Sequence, residues 1–288
     1  MLGWIDTIIQ GVLLGGLYSL YATGLSVIFG IMRLVNLAHG DLIVLGAFLI
    51  LALTAAGLPL IAAFAIVLPV MFAVGYFLQA AILNRVLGRN ILPPLLITFG
   101  LSIIIQNGLL EAFSADTRFL NVGSLQGASL PLGGGIAVGV MPLVCLTAAI
   151  AVIVLLNGLF YRTAIGRAFR ATSDDVEIAQ LMGINNKSIY ALTMAIAVAV
   201  CAVAAFFLGT RANFDPSIGP ARLLYAFEAV IIGGLGSLWG TLAGGIVVGL
   251  AQTIGAHIDP EWQILSGHIA FLIVLVLRPR GLFPRATD

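Results

Sequence analysis

Charge is what this chain has least of. Only 9% of its 288 residues are Asp, Glu, Lys or Arg, against about 25% in an ordinary globular domain. The net charge of +1 leaves no basic surface to neutralise phosphates, which excludes nucleic acid as a partner. Cysteine occurs twice, as Cys145 and Cys201. Both fall inside apolar runs and read as small hydrophobic packers rather than a disulfide, so no redox compartment follows from them. The three histidines, His39, His257 and His268, are too few and too scattered for a metal site, and none is expected. No Gly-x-x-x-x-Gly-Lys-Ser/Thr loop is present, and no basic residue stands beside the glycine runs to meet a phosphate. A nucleophile elbow is also missing. The chain is therefore expected to have no catalytic residues and no cofactor of its own, and energy for any active process must come from a partner. The amino terminus, Met-Leu-Gly-Trp-Ile-Asp, lacks the positive region of a secretory signal, so the first apolar stretch is expected to remain as a transmembrane helix.

What fills the chain instead is hydrocarbon: 61% of residues are hydrophobic. Apolar runs at 8–29, 60–83, 140–160, 190–208 and 264–277 reach or approach the roughly 20 residues that cross a bilayer as a helix. They are apolar on every face and do not alternate, which favours helices over a barrel. The expected fold is an all-α polytopic membrane protein of about eight transmembrane helices, some broken or re-entrant. It forms a single membrane domain over residues 1–288 with a cytoplasmic loop at 162–189.

Basic residues set the sidedness. Arg85 and Arg89, then Arg162, Arg167, Arg170 and Lys187, then Arg278, Arg280 and Arg285 mark three inside segments. Between the first two lie spans at 91–113 and 140–160, joined by a polar, Gly-rich segment at 114–139 that is then outside. An even number of crossings is needed between the 190–208 span and the last one. The apolar but glycine-rich stretch 224–254 must supply it, either as a re-entrant loop or as short half-helices broken near Gly233 to Gly240.

Polar residues inside such text stand out. Asn36, His39 and Asp41 interrupt the chain around Gly40, in "RLVNLAHGDLIVLGAF". On one reading Asp41 caps the second span at the interface while Asn36 and His39 are solvated. On the other, His-Gly-Asp is a helix break in the interior that lines a path for a polar solute. Glu228 sits among apolar residues and needs a partner, for which Arg222 or Arg211 is in range as a simple ion pair. Together with Gly233 and Gly234, these residues are the candidates for a translocation path. Two segments, 37–48 and 228–249, share an acidic residue beside a Gly-interrupted apolar run, a pattern seen in internally repeated transporters. Gly236, Gly240 and Gly244, Gly245 and Gly249, and Gly11 and Gly15 recur at four-residue spacing, which lets helices approach closely within one subunit or between two.

The most polar helix-capable stretch is "GRAFRATSDDVEIAQLMG", 166–183. Asp174 with Glu177 three residues on is a helix start signal, Asp175 and Glu177 suit its first turn, and Gly183 is placed as its stop. Val176, Ala179 and Met182 fall on one face. A helix of two turns is marginal alone and must pack on something: its own membrane domain, lipid headgroups, or the groove of a cytoplasmic partner.

This stretch resembles the coupling loop of bacterial ABC-importer permeases. "VNLAHGDLIVLGAF", "AVIIGGLGSLWGTLAGGIVVG" and the terminal "VLRPRGLFPR" resemble the branched-chain amino-acid permease family, in its LivH-type membrane subunit, over nearly the whole chain. The resemblance implies a permease of the bacterial inner membrane that works with a homologous second permease, two ATP-binding cassette subunits that use the ATP, and a periplasmic solute-binding protein. It implies leucine, isoleucine or valine as cargo, with urea, short amides or other amino acids as alternatives. Gly166, Arg167, Ala179 and Gly183 match the coupling loop, with the helix around Ala179 entering the ATPase groove. The loop departs from other importer families in having Ile178-Ala179-Gln180 where they have Glu-Ala-Ala. Two rival readings are an ion-coupled carrier with Glu228 at the ion and an intramembrane enzyme using His39 and Asp41 as base and orienter.

Overall fold

Runs that are apolar at every position become helices because each internal hydrogen bond is made within the segment, whatever surrounds it. A computed structural model describes residues 2–87, 92–133 and 136–283. It contains α1 (Leu2–Met32), α2 (His39–Ala55), α3 (Leu60–Phe77), α4 (Leu92–Phe113), α5 (Val140–Arg162), α6 (Ala164–Asp174), α7 (Val176–Leu181), α8 (Asn186–Arg211), α9 (Gly219–Gly233), α10 (Leu238–Ile258) and α11 (Trp262–Leu277). The segment after α3 continues as one π turn and one tight 3₁₀ turn to Arg85. Arg89, Ile91 and Arg285, used above to place segments, lie outside the described residues.

Among the described residues six helices are long and apolar enough to cross a membrane: α1, α3 with its continuation, α4, α5, α8 and α10. The expected all-α, polytopic membrane architecture holds. Among the described residues the strands lie in the polar segment between α4 and α5, which forms an antiparallel hairpin of β1 (Ser129–Gly133) and β2 (Ile136–Gly139), with Leu130 opposite Val138. It sits at the α1 amino-terminal end of the bundle, where Gln10 Nε2 donates to the Ala137 carbonyl (3.4 Å). The opposite end carries α6 and α7.

Burial separates the helices into two groups. Of the most apolar window in each span, 83% of residues are buried in α1 and 72% in α8, against 39% in α10 and 22% in α3, α4 and α5. The core is therefore built on α1 and α8, and the last three present apolar side chains outward, such as Ile104, Leu155 and Phe77.

The glycine spacing resolves as packing within this subunit. Gly11 and Gly15 of α1 face Gly245 and Gly249 of α10. A Cβ on Gly15 would collide with the Ile246 backbone, and one on Gly249 with the Gly11 carbonyl. The stretch 224–254 breaks where expected but not into two half-helices: α9, 15 residues long, ends at Gly233, residues 234–237 turn, and α10, with Ser237 Oγ accepting from the Gly240 N–H (3.1 Å), runs 21 residues and is long enough to cross.

Candidate functional site

The second span begins deep inside the bundle. After α1 the chain turns at Arg33, whose φ is 50°, and runs without regular structure to Ala38. Asn36 organises the break: its Oδ1 accepts from the Ala38 N–H (3.0 Å), and its carbonyl from the His39 N–H (3.2 Å). His39 Nε2 donates to the Tyr21 carbonyl (2.8 Å). Tyr21 precedes the end of α1 by eleven residues, about 16 Å of helix, so α2 starts that far into the bundle. Since a carbonyl only accepts, the proton is on Nε2. Nδ1 is then the acceptor that faces the Cys201 thiol (3.6 Å).

Asn36 and His39 are fully buried and Asp41 is 1% exposed, so the solvated alternative for this segment is incorrect. Asp41 does not cap α2 either; it lies in the first turn, and no side chain caps that helix. Its Oδ1 accepts from Gln106 Nε2 of α4 (3.0 Å), which also reaches Ser102 Oγ (3.1 Å). Its Oδ2 is buried without a hydrogen-bond partner among the described residues.

Opposite Asp41 stands the amino terminus of α9. A Cβ on Gly219 would collide with the Asp41 carboxylate, and one on Gly40 with the Gly219 carbonyl. Two broken helices thus meet start to start. Each amino terminus carries roughly half a positive charge from its aligned peptide dipoles, which offsets part of the cost of burying a carboxylate there.

The residues opposite Asp41 were missed by the sequence reading. Thr98, Ser102 and Gln106 form a four-residue-spaced polar stripe on α4, and Thr98 Oγ1 accepts from the Leu37 N–H (3.2 Å). That spacing was visible in "TFGLSIIIQ" and marks one helix face.

Glu228 is 1% exposed and pairs with neither expected arginine. Its Oε1 meets His268 Nδ1 of α11, while Oε2 has no partner among the described residues. The arginines are engaged elsewhere: Arg211 donates to the Leu13 carbonyl (3.2 Å), and the Arg222 guanidinium lies 6.0 Å from the Tyr225 ring centre. Tyr225 in turn stacks on His268 at 6.4 Å. Glu228 follows Gly219 by nine residues, about 13 Å along α9, so it and Asp41 form two separate polar points.

Gly233 and Gly234 belong to a third place, the turn after α9. Gly234 has φ of 105°, which favours glycine, and Gly233 packs on the Gly240 backbone. The chain's last described residues fasten there, with the Leu282 N–H on the Ile232 carbonyl (2.8 Å) and the Phe283 N–H on that of Gly233 (3.0 Å). These two glycines are turn and packing positions at the α6–α7 end.

The polar stretch 166–183 is two helices rather than one. Thr163 caps α6, its Oγ1 accepting from the Gly166 N–H (3.0 Å), and Gly166 lies against the Leu159 and Phe160 carbonyls of α5. Asp174 ends α6 instead of starting the next helix. Asp175 is the cap of α7, accepting from the N–H groups of Glu177 (2.8 Å) and Ile178 (2.9 Å). Gly183, at φ 82°, stops α7, with the Ile184 N–H on the Ala179 carbonyl (3.0 Å). Asn186 Nδ2 ties the Val176 carbonyl to the start of α8 (2.8 Å), and Ser173 Oγ ties α6 to the Gly30 carbonyl of α1 (2.6 Å). Arg167, Asp174 and Glu177 are exposed.

Ala179 is 2% exposed, whereas Ile178 is 58%, Met182 77% and Leu181 86% exposed. The outward apolar face of α7 is thus Ile178, Leu181 and Met182, and Ala179 is the contact with the protein itself. The expected Val176, Ala179, Met182 face fails: of the three only Ala179 is covered, Val176 is 40% exposed, and Met182 lies past the last residue of α7.

A family described as branched-chain amino acid transport system / permease component matches residues 7–277. The chain belongs to this family. The permease is 29% identical to the high-affinity branched-chain amino acid transport system permease protein BraD of Pseudomonas aeruginosa, covering 98% of this chain and 96% of that one. It is 28% identical to the corresponding protein LivH of Escherichia coli, with the same coverage. A fructose import permease protein, FrcC of Rhizobium meliloti, is 29% identical over 67% of this chain and 56% of its own. No solved structure matches. In this multi-pass membrane permease the broken-helix junction at Asp41 and the exposed face of α7 stand at different levels of one bundle, and α8 runs between them, starting beside α7 and passing Cys201 against His39.

Proposed function

We propose that this permease is the membrane-spanning subunit of an ATP-driven importer of branched-chain amino acids in the bacterial inner membrane. The observation that carries the reading is family membership along nearly the whole chain, supported by an apolar, outward-facing α7 that its own bundle leaves uncovered. ATP is used by two cassette subunits, which take the Ile178, Leu181 and Met182 face into a groove. A homologous permease completes the membrane unit, and a periplasmic solute-binding protein delivers cargo at the hairpin end. The shorter helices α2, α9 and α11 complete crossings beside the six long ones, one more than the expected eight. The α6–α7 end faces the cytoplasm, a side supported by the basic residues gathered there, Arg162, Arg167, Arg170, Arg278 and Arg280.

Solute passes the mid-depth junction of α2 and α9. Asp41 there, with its unused Oδ2, receives the solute's ammonium group, and Gln106 and Ser102 hold the carboxylate side chain in place. Asn36 and His39 shape the break without touching solute, because all their polar atoms point into the fold. Glu228 lies further along α9, toward the cytoplasm, paired with His268 of α11. Nucleotide-driven closure of the cassette subunits pushes α7, and α8 transmits the movement to the junction.

The test is reconstitution of the permease with its cognate cassette and binding proteins in vesicles. Labelled leucine uptake should require ATP on the α6–α7 side. Uptake driven by an ion gradient without ATP would give the ion-coupled carrier reading instead. A sugar cargo is the second reading, favoured by the fructose permease relative, and competition of leucine uptake by fructose would support it.

A further inference from the structure

A cavity lies on the other side of α1 from the broken-helix junction. It measures about 570 Å³ and opens between α1, α5, α6 and the start of α10, a size typical of small-molecule sites. Ser26 lines it from α1. Along a helix Ser26 is rotated by about 140° from Tyr21 and about 160° from Gly24, the two residues that contact His39. The cavity is therefore separate from the proposed path.

Its polarity is ordered. Ser26 is 1% exposed, and its hydroxyl has no hydrogen-bond partner among the described residues. Asn157 faces the cavity from α5, and Val27, Leu238 and Trp239 supply apolar wall. At the α6 side stands Arg170, whose guanidinium donates to the Phe160 carbonyl and lies 5.1 Å from the Tyr161 ring centre, which leaves other N–H groups of the planar fork for a ligand. Among the described residues Arg170 is the lining's one charged side chain.

An orphaned buried hydroxyl calls for a polar group of a ligand. A lipid tail pushed into the cavity would leave Ser26 and Asn157 unsatisfied at its inner part. A cation would meet Arg170 with no lining carboxylate among the described residues to balance it. A small zwitterion with an apolar side chain satisfies every feature: ammonium on the acceptor oxygens of Ser26 and Asn157, carboxylate on Arg170, side chain against the aliphatic and aromatic wall.

We propose that this cavity binds a free apolar amino acid from the α6–α7 side, and that its occupancy restrains import. The proposal rests on the amino-acid importer reading and goes beyond it, since the site lies off the path. The restraint is local: Ser173 of α6, which latches to the Gly30 carbonyl, is part of the same wall, so a ligand bridging Arg170 and Ser26 ties α6 to α1. With α6 held this way, the α7 that directly follows it cannot move with the cassette subunits.

The test uses the complete transporter in vesicles loaded with unlabelled leucine. Wild-type uptake should fall about ten-fold against empty vesicles, a magnitude common for coupled sites. Asn157→Leu and, separately, Ser26→Ala should keep uptake into empty vesicles and lose most of the inhibition. Labelled leucine should bind the detergent-purified complex without its solute-binding protein and be lost in Asn157→Leu. Equal inhibition in wild type and both variants, or none in wild type, overturns the proposal while leaving the importer reading intact. Recovery of a phospholipid held by wild type and released in Asn157→Leu also overturns it. Absence of amino-acid uptake even into empty vesicles is the separate result that removes the importer reading and the regulatory role with it.

Discussion

Asp41 is the residue whose chemistry is least satisfied by its surroundings. One carboxylate oxygen is held by Gln106 and the other is buried with no partner among the described residues. A charge-assisted hydrogen bond contributes about 1.5 to 3 kcal/mol, which corresponds to roughly 10- to 150-fold in an equilibrium. Asp41→Asn should therefore cut leucine uptake within that range while the amount of folded protein in the membrane stays unchanged; a variant that transports normally would remove Asp41 from the path. Gly40 gives the complementary prediction. Because its Cβ direction is filled by the Gly219 carbonyl, Gly40→Val forces the two helix starts apart and should destabilise the fold by about 1 to 3 kcal/mol, read as a lowered thermal midpoint in detergent. Residue identity alone had marked Asn36, His39, Asp41 and Glu228 as unusual for the membrane. It did not give their partners. Glu228 meets His268 from α11, forty residues away, and local spacing carries no information about that distance.

At the scale of elements, α7 depends on its two ends. With only six residues it would not be stable as a free helix, and Asp175, Gly183 and the Asn186 bond to the Val176 carbonyl hold it. Two predictions separate holding from docking. Leu181→Asp, on the outward face, should leave the permease folded and abolish co-purification of the ATPase. Ala179→Asp puts a charge into a buried contact and should lower the thermal midpoint of the permease alone, since an unpaired buried carboxylate costs several kcal/mol. If Leu181→Asp retains the ATPase and transports normally, the outward face is not the docking surface. The start and stop signals of α7 were legible in "SDDVEIAQLMG" to within a residue or two. Its inward side was not, because Ala179, Ile178 and Met182 are all apolar and only the position of α8 beside α7 decides which of them is covered.

The whole molecule places two well-buried helices inside a ring of helices with apolar outer faces. Leu155 of α5 is 71% exposed, which in lipid is a favourable position. Leu155→Lys should lower the inserted fraction of the protein, given a cost of about 2.5 to 3.5 kcal/mol for lysine near mid-bilayer, with a smaller effect if the side chain reaches the headgroups; membrane fractionation reads the difference. Sidedness has its own check. A single cysteine at Ser124, beside the hairpin, and another at Arg280 should label from opposite faces of the membrane, in a background where Cys145 and Cys201 are replaced. Labelling of both from one face would overturn the proposed crossings.

At His39 the sequence by itself left an interfacial cap and an interior break both open; it determined that this is a helical membrane protein, where most spans lie, and that a short capped helix stands near 175–183. Each of these follows from hydrogen-bond closure within a segment and from hydrophobicity, which are local. Only the tertiary structure decided that α2 and α9 begin against one another, that Gln106 rather than solvent meets Asp41, that His268 rather than an arginine meets Glu228, and that Ala179 turns inward. The reason is that lipid and protein interior are equally apolar: a helix hydrophobic on every side records that it is out of water, and not which side faces another helix.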